Sequence, residues 1–289
     1  PMPLRLIPIL LALAWGLNWP AVKIALSEWP PFTLRAAGLA TAALLLLALA
    51  LLRGLRPWPP RQAWPGVLLG GVLSIAVFNI STAFAQLNTS TSRAAVLTFT
   101  MPLMSALLAW WWLGERPDRR RTLALLLGLA GIVVLAWPVL RGLGAAGPAP
   151  PLRGLLLPLL AALGWAAGTV LFKRWPVAGD RLTITAWQLL VGAGCALAGL
   201  ALVGEPPPAW PPSPRVASAL GFHVVFATAM AYWLWFGLVD RVSATVSALT
   251  TLAVPVVGVL GAMALVGDRP AGADWLGFAL VLAGAALTL

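Results

Sequence analysis

The chain is short of most groups that carry chemistry. Its 289 residues include one cysteine, one histidine, one tyrosine and eight carboxylates, against 19 lysines and arginines. A lone Cys195 excludes an intramolecular disulfide and a cysteine-rich metal cluster. HExxH, GxSxG and Ser/His or paired-Asp arrangements are absent from the apolar runs, so neither an embedded enzyme nor a metal or cofactor site is expected. The carboxylates Glu28, Glu115, Asp118, Asp180, Glu205, Asp240, Asp268 and Asp274 all fall in loops or at the ends of apolar runs. A cationic solute would therefore find no buried counter-charge, and a drug antiporter built around a mid-membrane glutamate is disfavoured.

Apolar residues make up 61% of the chain and charged ones 9%. Runs of about 20 apolar residues recur along most of its length, as a hydrocarbon core about 30 Å thick demands. This is the composition of a polytopic membrane protein. The net charge of +11 is scattered over short turns instead of forming one stripe, which excludes a nucleic-acid partner. Pro1 before Met2 reads as an expression scar, and the first apolar run leads into Trp15, Asn18 and Trp19 without a small-residue cleavage site, so no cleaved signal peptide is expected.

Charged and proline-rich breaks divide the chain into ten expected helical spans near 4–26, 33–53, 64–86, 93–113, 121–141, 154–174, 182–203, 215–239, 241–266 and 273–289. With both termini cytoplasmic, the inner loops hold twelve basic residues, among them Arg53, Arg116 and Lys173, and the outer loops five. The positive-inside rule selects that orientation.

The chain also repeats itself. "LTFTMPLMSALLAWWWLGERP" (97–117) aligns with "TTLAVPVVGVLGAMALVGDRP" (250–270) at an offset of 153, which places Pro102 on Pro255. Trp15 and Lys23 fall on Trp165 and Lys173 at an offset of 150. Two halves, 1–145 and 146–289, with five spans each must cross the membrane in opposite senses. Such an inverted repeat holds its substrate near the midplane, where the halves meet.

Several polar residues interrupt the spans. At about 100° per residue, Trp15, Trp19 and Lys23 lie within about 80° of one another and Asn18 about 60° to the other side, so all four share one broad face. Asn79, Thr82 and Gln86 form a second stripe, and the offset places Tyr232 and Trp235, with Thr228 beside them, on the matching face of span 8. Lipid tolerates neither stripe, so both are expected to line a pathway, with packing and interhelical hydrogen bonding as the plainer alternative. His223 is a candidate proton relay. It lies nine residues from Tyr232, on the opposite side of a regular helix, so the two face one cavity only if span 8 is kinked or broken. Pro102 and Pro255 are candidate hinges of a gate, or purely structural kinks. Trp29, Trp58, Trp64, Trp110, Trp111, Trp112, Trp137, Trp175, Trp210 and Trp275 sit near span ends and read as interfacial anchors.

The ten spans, the proline-containing fourth span of each half with its Gly-Glu-Arg-Pro or Gly-Asp-Arg-Pro ending, and the Trp-Gly pair in span 1 resemble the drug/metabolite transporter superfamily. The likeness is greatest to its EamA branch, whose bacterial members include aromatic amino-acid exporters. Joined to the residues, this resemblance implies a secondary transporter in the lipid bilayer of a bacterial inner membrane, as a monomer or a dimer, that exports aromatic and other apolar amino acids by alternating access. Mid-span tryptophans would stack on the solute, and Asn18, Asn79 and Gln86 would meet its head group, with Lys23 drawing in the carboxylate. A carrier of sugar phosphates or nucleotide sugars would need several converging cations, and only Lys23 and Arg35 are at hand. A channel-like facilitator is the other alternative.

Overall fold

A computed structural model describes residues 6–143, 150–239 and 244–288, with side chains described outside 236–250. Within these residues the chain is helical, without a strand. Segments that abut join into α1 (Ile7–Ala25), α2 (Pro31–Leu52), α3 (Arg61–Asn88), α4 (Thr91–Leu113), α5 (Arg119–Gly142), α6 (Arg153–Arg174) and α7 (Arg181–Val203). They are followed by α8 (Pro214–Gly221, Phe222–Met230 and Ala231–Val239), α9 (Ala244–Leu265) and α10 (Gly272–Leu287). Eight helices, α1 to α8, are long and apolar enough to cross a membrane, and Thr251–Leu265 and Gly272–Leu287 are shorter apolar helices. Helix ends that do not abut undescribed residues lie within three residues of their expected positions, and the expected bounds 4, 241 and 289 lie outside the described residues. The junction between the expected halves at 145/146, with Asp240 and Arg241, lies outside the described residues.

The few carboxylates explain where many helices begin. The first turn of a helix has unpaired N–H groups and a partial positive charge, which an acid satisfies together. Asp118 accepts from the Arg121 N–H at the start of α5, Asp180 from the N–H groups of Leu182 and Thr183 at the start of α7, and Asp274 from that of Ala271 at α10. Others act across the bundle. Glu205, after α7, accepts from Phe32 N, Thr33 N and the Thr33 hydroxyl at the start of α2, at 2.8–2.9 Å. Asp268, after α9, accepts from the N–H and hydroxyl of Ser92 at the start of α4, both at 2.8 Å. Glu28, after α1, accepts from the Ser213 N–H ahead of α8 at 2.8 Å. Hydrogen bonding by Ser213, side chain first and then backbone, holds the Glu28 carboxyl below the usual range against a smaller opposing effect of burial. Its contribution is therefore complete above the ordinary carboxylate pKa and is lost as pH falls through the lowered one. Glu115 pairs instead with Lys173 at 2.5 Å.

The bundle has two ends. At the distal end, where α1 finishes, Glu28, Glu205 and Asp268 make the contacts just described and Arg215 donates to the Leu265 carbonyl. At the proximal end Glu115 meets Lys173, and the Trp187 indole N–H donates to the Pro57 carbonyl at 2.7 Å.

The main helix pairs are α5 with α10, α2 with α7, α1 with α9, and α6 with α3 and α4; α8 packs on α1 and α2. Exchanging each helix for its counterpart five places along maps α1–α9 onto α6–α4 and α1–α8 onto α6–α3, and maps α2–α7 and α5–α10 onto themselves. Glycines permit the closest approaches. A methyl group at Gly284 would lie 2.7 Å from the Ala124 carbonyl oxygen across the α5–α10 contact. Gly164 faces the Leu73 carbonyl and Val77, and Gly168 faces Ser74, so these glycines beside Trp165 let α6 press on α3.

Two irregularities matter for the site. The π-helical segments Gly71–Val77 in α3 and Phe222–Met230 in α8 end at residues related by the sequence offset. The repeated prolines, by contrast, behave differently. In α4 the helix breaks at Phe99–Thr100 and Pro102 opens the second piece, whereas α9 runs unbroken through Pro255. Of the expected anchors, Trp58, Trp110, Trp111, Trp112, Trp137, Trp175, Trp210 and Trp275 are exposed, as residues facing lipid headgroups should be, while Trp29 and Trp64 are half-buried against neighbours.

Replacing Glu205 with Ala removes an anionic acceptor from three donors at the start of α2. The expected cost is about 1–3 kcal/mol, read as a lower unfolding temperature in detergent, with Glu205→Gln intermediate.

Candidate substrate site

A cavity of about 290 Å³ lies between the halves. Its walls come from α1, α2, α3 and α4 on one side and α6, α8 and α9 on the other. From the first stripe it receives Trp15, Asn18 and Trp19, from the second Asn79, Thr82 and Gln86, and from the second half Trp165, Tyr232 and Trp235. Pro102 borders it too.

The aromatic rings form two groups, each bridging the two sides. Trp15 on α1 lies 6.2 Å from Tyr232 and 5.4 Å from Trp235 on α8, centroid to centroid. Trp165 on α6 lies 5.3 Å from Phe78 on α3. Each group joins the first helix of one half to the third helix of the other, and edge or tilted contacts at these distances hold the rings while leaving faces for a guest.

The cavity is closed distally and open proximally. Around its distal floor Val22, Thr82 and Gln86 are 1–2% exposed. The Lys23 ammonium donates to the Gln86 backbone carbonyl at 2.5 Å, and the Thr91 hydroxyl donates to the Gln86 side-chain oxygen at 2.9 Å. Lys23 thus bolts α1 to α3 behind the floor and is not part of the wall. Toward the proximal end the wall includes Ser105 on α4 and Thr169 on α6, and Thr169 is exposed.

Three further residues named from the sequence lie off the wall. Pro255 is one. Thr228 is buried and donates its hydroxyl to the His223 carbonyl at 2.7 Å, within the π-helical segment. His223 is buried; its Nδ1 is 2.7 Å from the Asn18 side-chain oxygen, and Nε2 has no partner. Asn18 itself borders the cavity, so His223 touches the site through one intermediary. The irregular turn between His223 and Tyr232 does not bring both onto the wall.

Arg35, expected from the sequence only as one of two cations at hand, is part of the wall. It is 3% exposed, on α2. Nε donates to the Asn79 carbonyl at 2.7 Å and Nη2 to the Thr82 hydroxyl at 3.0 Å, while Nη1 is buried without a partner. The signal was an arginine in the apolar stretch "FTLRAAGLA". Ser105 and Thr169 were also passed over, although each sits a helical turn after a named residue, Pro102 or Trp165. Among the described residues no carboxylate borders the cavity.

The EamA-like transporter family model matches the chain twice, over residues 5–137 and 152–289. "Uncharacterized transporter YvbV" of Bacillus subtilis (strain 168) is 28% identical over 251 residues, which is 86% of this chain and 79% of that protein. The "Probable amino-acid metabolite efflux pump" of Escherichia coli (strain K12) is 26% identical over 96% of this chain and 91% of its own length. A protein of known crystal structure shares the fold, with a TM-score of 0.66 at 24% identity over 98% of this chain and 95% of that one. The resemblance carried by the two proline spans and their acidic endings is thus borne out: the chain belongs to the EamA-like transporter family.

Proposed function

We propose that the protein is a secondary carrier that exports aromatic and other apolar amino acids across the bacterial inner membrane by alternating access. Ten spans form two inverted five-helix halves, 1–145 and 146–289, with both termini cytoplasmic. The carrier acts as a monomer in the bilayer, without cofactor, metal or nucleic acid. The observation that carries this reading is the cavity: walled by both halves, furnished with paired aromatic groups, closed at one end and open at the other. Support for the inverted halves comes from the exchange symmetry of the helix pairs, the related π-helical segments and the double family match. With cytoplasmic termini, the open proximal end faces the cytoplasm.

The rivals fit less well. A sugar phosphate or nucleotide sugar calls for several converging cations. The wall has Arg35, and the Lys23 ammonium is already bonded to Gln86. A channel must be open at both ends at once, against a floor held by the Lys23–Gln86 and Asp268–Ser92 contacts.

The acidic endings of the repeated motifs supply a latch for the alternation. Asp268 grips Ser92 at the start of α4, and α4 is broken ahead of Pro102. The repeat counterpart of Asp268 is Glu115, and that of Ser92 is Thr245 near the start of α9. Glu115 here holds Lys173, whose hydrogen bond is the largest cause of a carboxyl held below its usual range. In the opposite state Asp268 releases α4, Glu115 leaves Lys173 for the start of α9, and α9 bends at Pro255.

Proteoliposomes loaded with unlabelled phenylalanine should take up labelled phenylalanine by saturable counterflow, which other apolar amino acids inhibit. Trp15→Ala and Asn79→Ala should each lower it at least about tenfold, the loss of one stacking or hydrogen-bonding contact. Uptake that rises linearly with concentration would sink the carrier reading, and full activity in both variants would sink the site assignment.

The latch has its own readout. With Cys195 replaced by Ser, a cysteine introduced at Val22 on the closed floor should react slowly with an impermeant thiol reagent added outside. Asp268→Ala should accelerate that labelling severalfold. An unchanged rate would remove Asp268 from the gate.

A further inference from the structure

Arg35 carries a charge whose partner is not among the residues around it. Its Nε and Nη2 bonds to Asn79 and Thr82 tie α2 to α3, and both acceptors are neutral oxygens. Helix clamping accounts for these two contacts. It leaves Nη1, which is buried with no partner, in a wall that among the described residues includes no carboxylate. The other cation near the floor, Lys23, is engaged by Gln86. A buried charge left unpaired is strongly destabilising, and arginines at membrane depth are found paired or facing a wet cavity. Arg35 faces such a cavity, and a guanidinium is shaped to meet a carboxylate edge-on.

We propose that Arg35 is the carboxylate anchor of the cavity, so that an aromatic or apolar body and a carboxylate suffice for binding and the amino group is dispensable. This rests on the reading of the cavity as the carrier's substrate site. The guest's ring lies against the Trp15 or Trp165 group and its carboxylate takes up Nη1 of Arg35. The ammonium of an amino acid then meets only neutral partners such as the side-chain oxygens of Asn79 and Gln86. The ligand class widens accordingly from amino acids to arylalkanoic acids, and amines without an acid group are excluded.

The test compares 3-phenylpropionate, which keeps the acid, with phenethylamine, which keeps the amine, as inhibitors of phenylalanine counterflow in proteoliposomes of the full chain. Phenylpropionate should inhibit at concentrations about 10- to 100-fold lower, the range expected from a charge-assisted hydrogen bond. Arg35→Gln should abolish this preference and Arg35→Lys should keep part of it, while a clamp without a binding role would leave the preference intact in any folded variant. Equal inhibition by the two compounds on the unaltered protein, or a preference undiminished in Arg35→Gln, would overturn the proposal. The unaltered protein alone decides the first of these, so a variant that fails to fold does not shelter the idea. If phenylalanine counterflow itself is absent, the amino-acid reading falls separately, and quenching of tryptophan fluorescence by the same two compounds judges Arg35. Tighter binding of the acid supports the anchor; equal binding, or none for the acid, overturns it.

Discussion

Hydrocarbon offers no partner to a polar group, and the arrangement of this molecule follows from that constraint. Backbone groups freed at helix starts must be satisfied from within. The chain meets the need with very few acids. Six of its eight carboxylates, Glu28, Asp118, Asp180, Glu205, Asp268 and Asp274, accept from N–H groups at or next to helix starts. Asp118, Asp180 and Asp274 stay within their own helix start, while Glu28, Glu205 and Asp268 reach across the bundle. The three that reach across all lie at the distal end, the end at which the cavity is closed.

The same constraint separates symmetry in the fold from asymmetry in its state. Helix pairing survives exchange of each helix for its counterpart five places along. The endings of α4 and α9 do not match in their contacts: Asp268 holds a helix start, and Glu115 holds a lysine side chain. Their prolines differ as well, with a break before Pro102 and a continuous helix through Pro255. One sequence motif thus occupies two conformations in one molecule. The proposed alternating access would require this of a repeat, since each half would have to adopt the conformation of the other.

Helices and their ends were legible because apolar runs and proline-rich breaks report directly on burial in lipid. Trp15, Asn79, Thr82, Gln86 and Trp165 were legible for the related reason that polar or amphipathic side chains in such runs must face inward. Lys23 shows the limit of that rule. It does face inward, yet its ammonium meets a backbone carbonyl, and no sequence pattern distinguishes a backbone partner from a solute. Arg35 shows the converse. Close to the start of its span it resembles an interfacial arginine, and only the packing of α2 on α3 reveals that the guanidinium is inside. His223 depended on the turn of α8, and the π-helical segment that alters that turn carries no proline to announce it.

The position of Arg35 also bears on how a solute would leave. Arg35 is fixed to Asn79 and Thr82 on α3, next to the floor closed by Lys23 and Gln86. A carboxylate held there is in a medium of low dielectric, where attraction between opposite charges is several times stronger than in water. On the proposed reading, opening the distal floor would admit water to the ion pair before the solute moved. The attraction then falls as the dielectric rises, and small ions screen what is left. On the proposed export reading, binding and release would need no change in the guanidinium itself, because the gate that opened the exit would also weaken the hold. A charged anchor beside the closed floor is therefore compatible with turnover, whereas the same anchor sealed from both ends would trap its substrate.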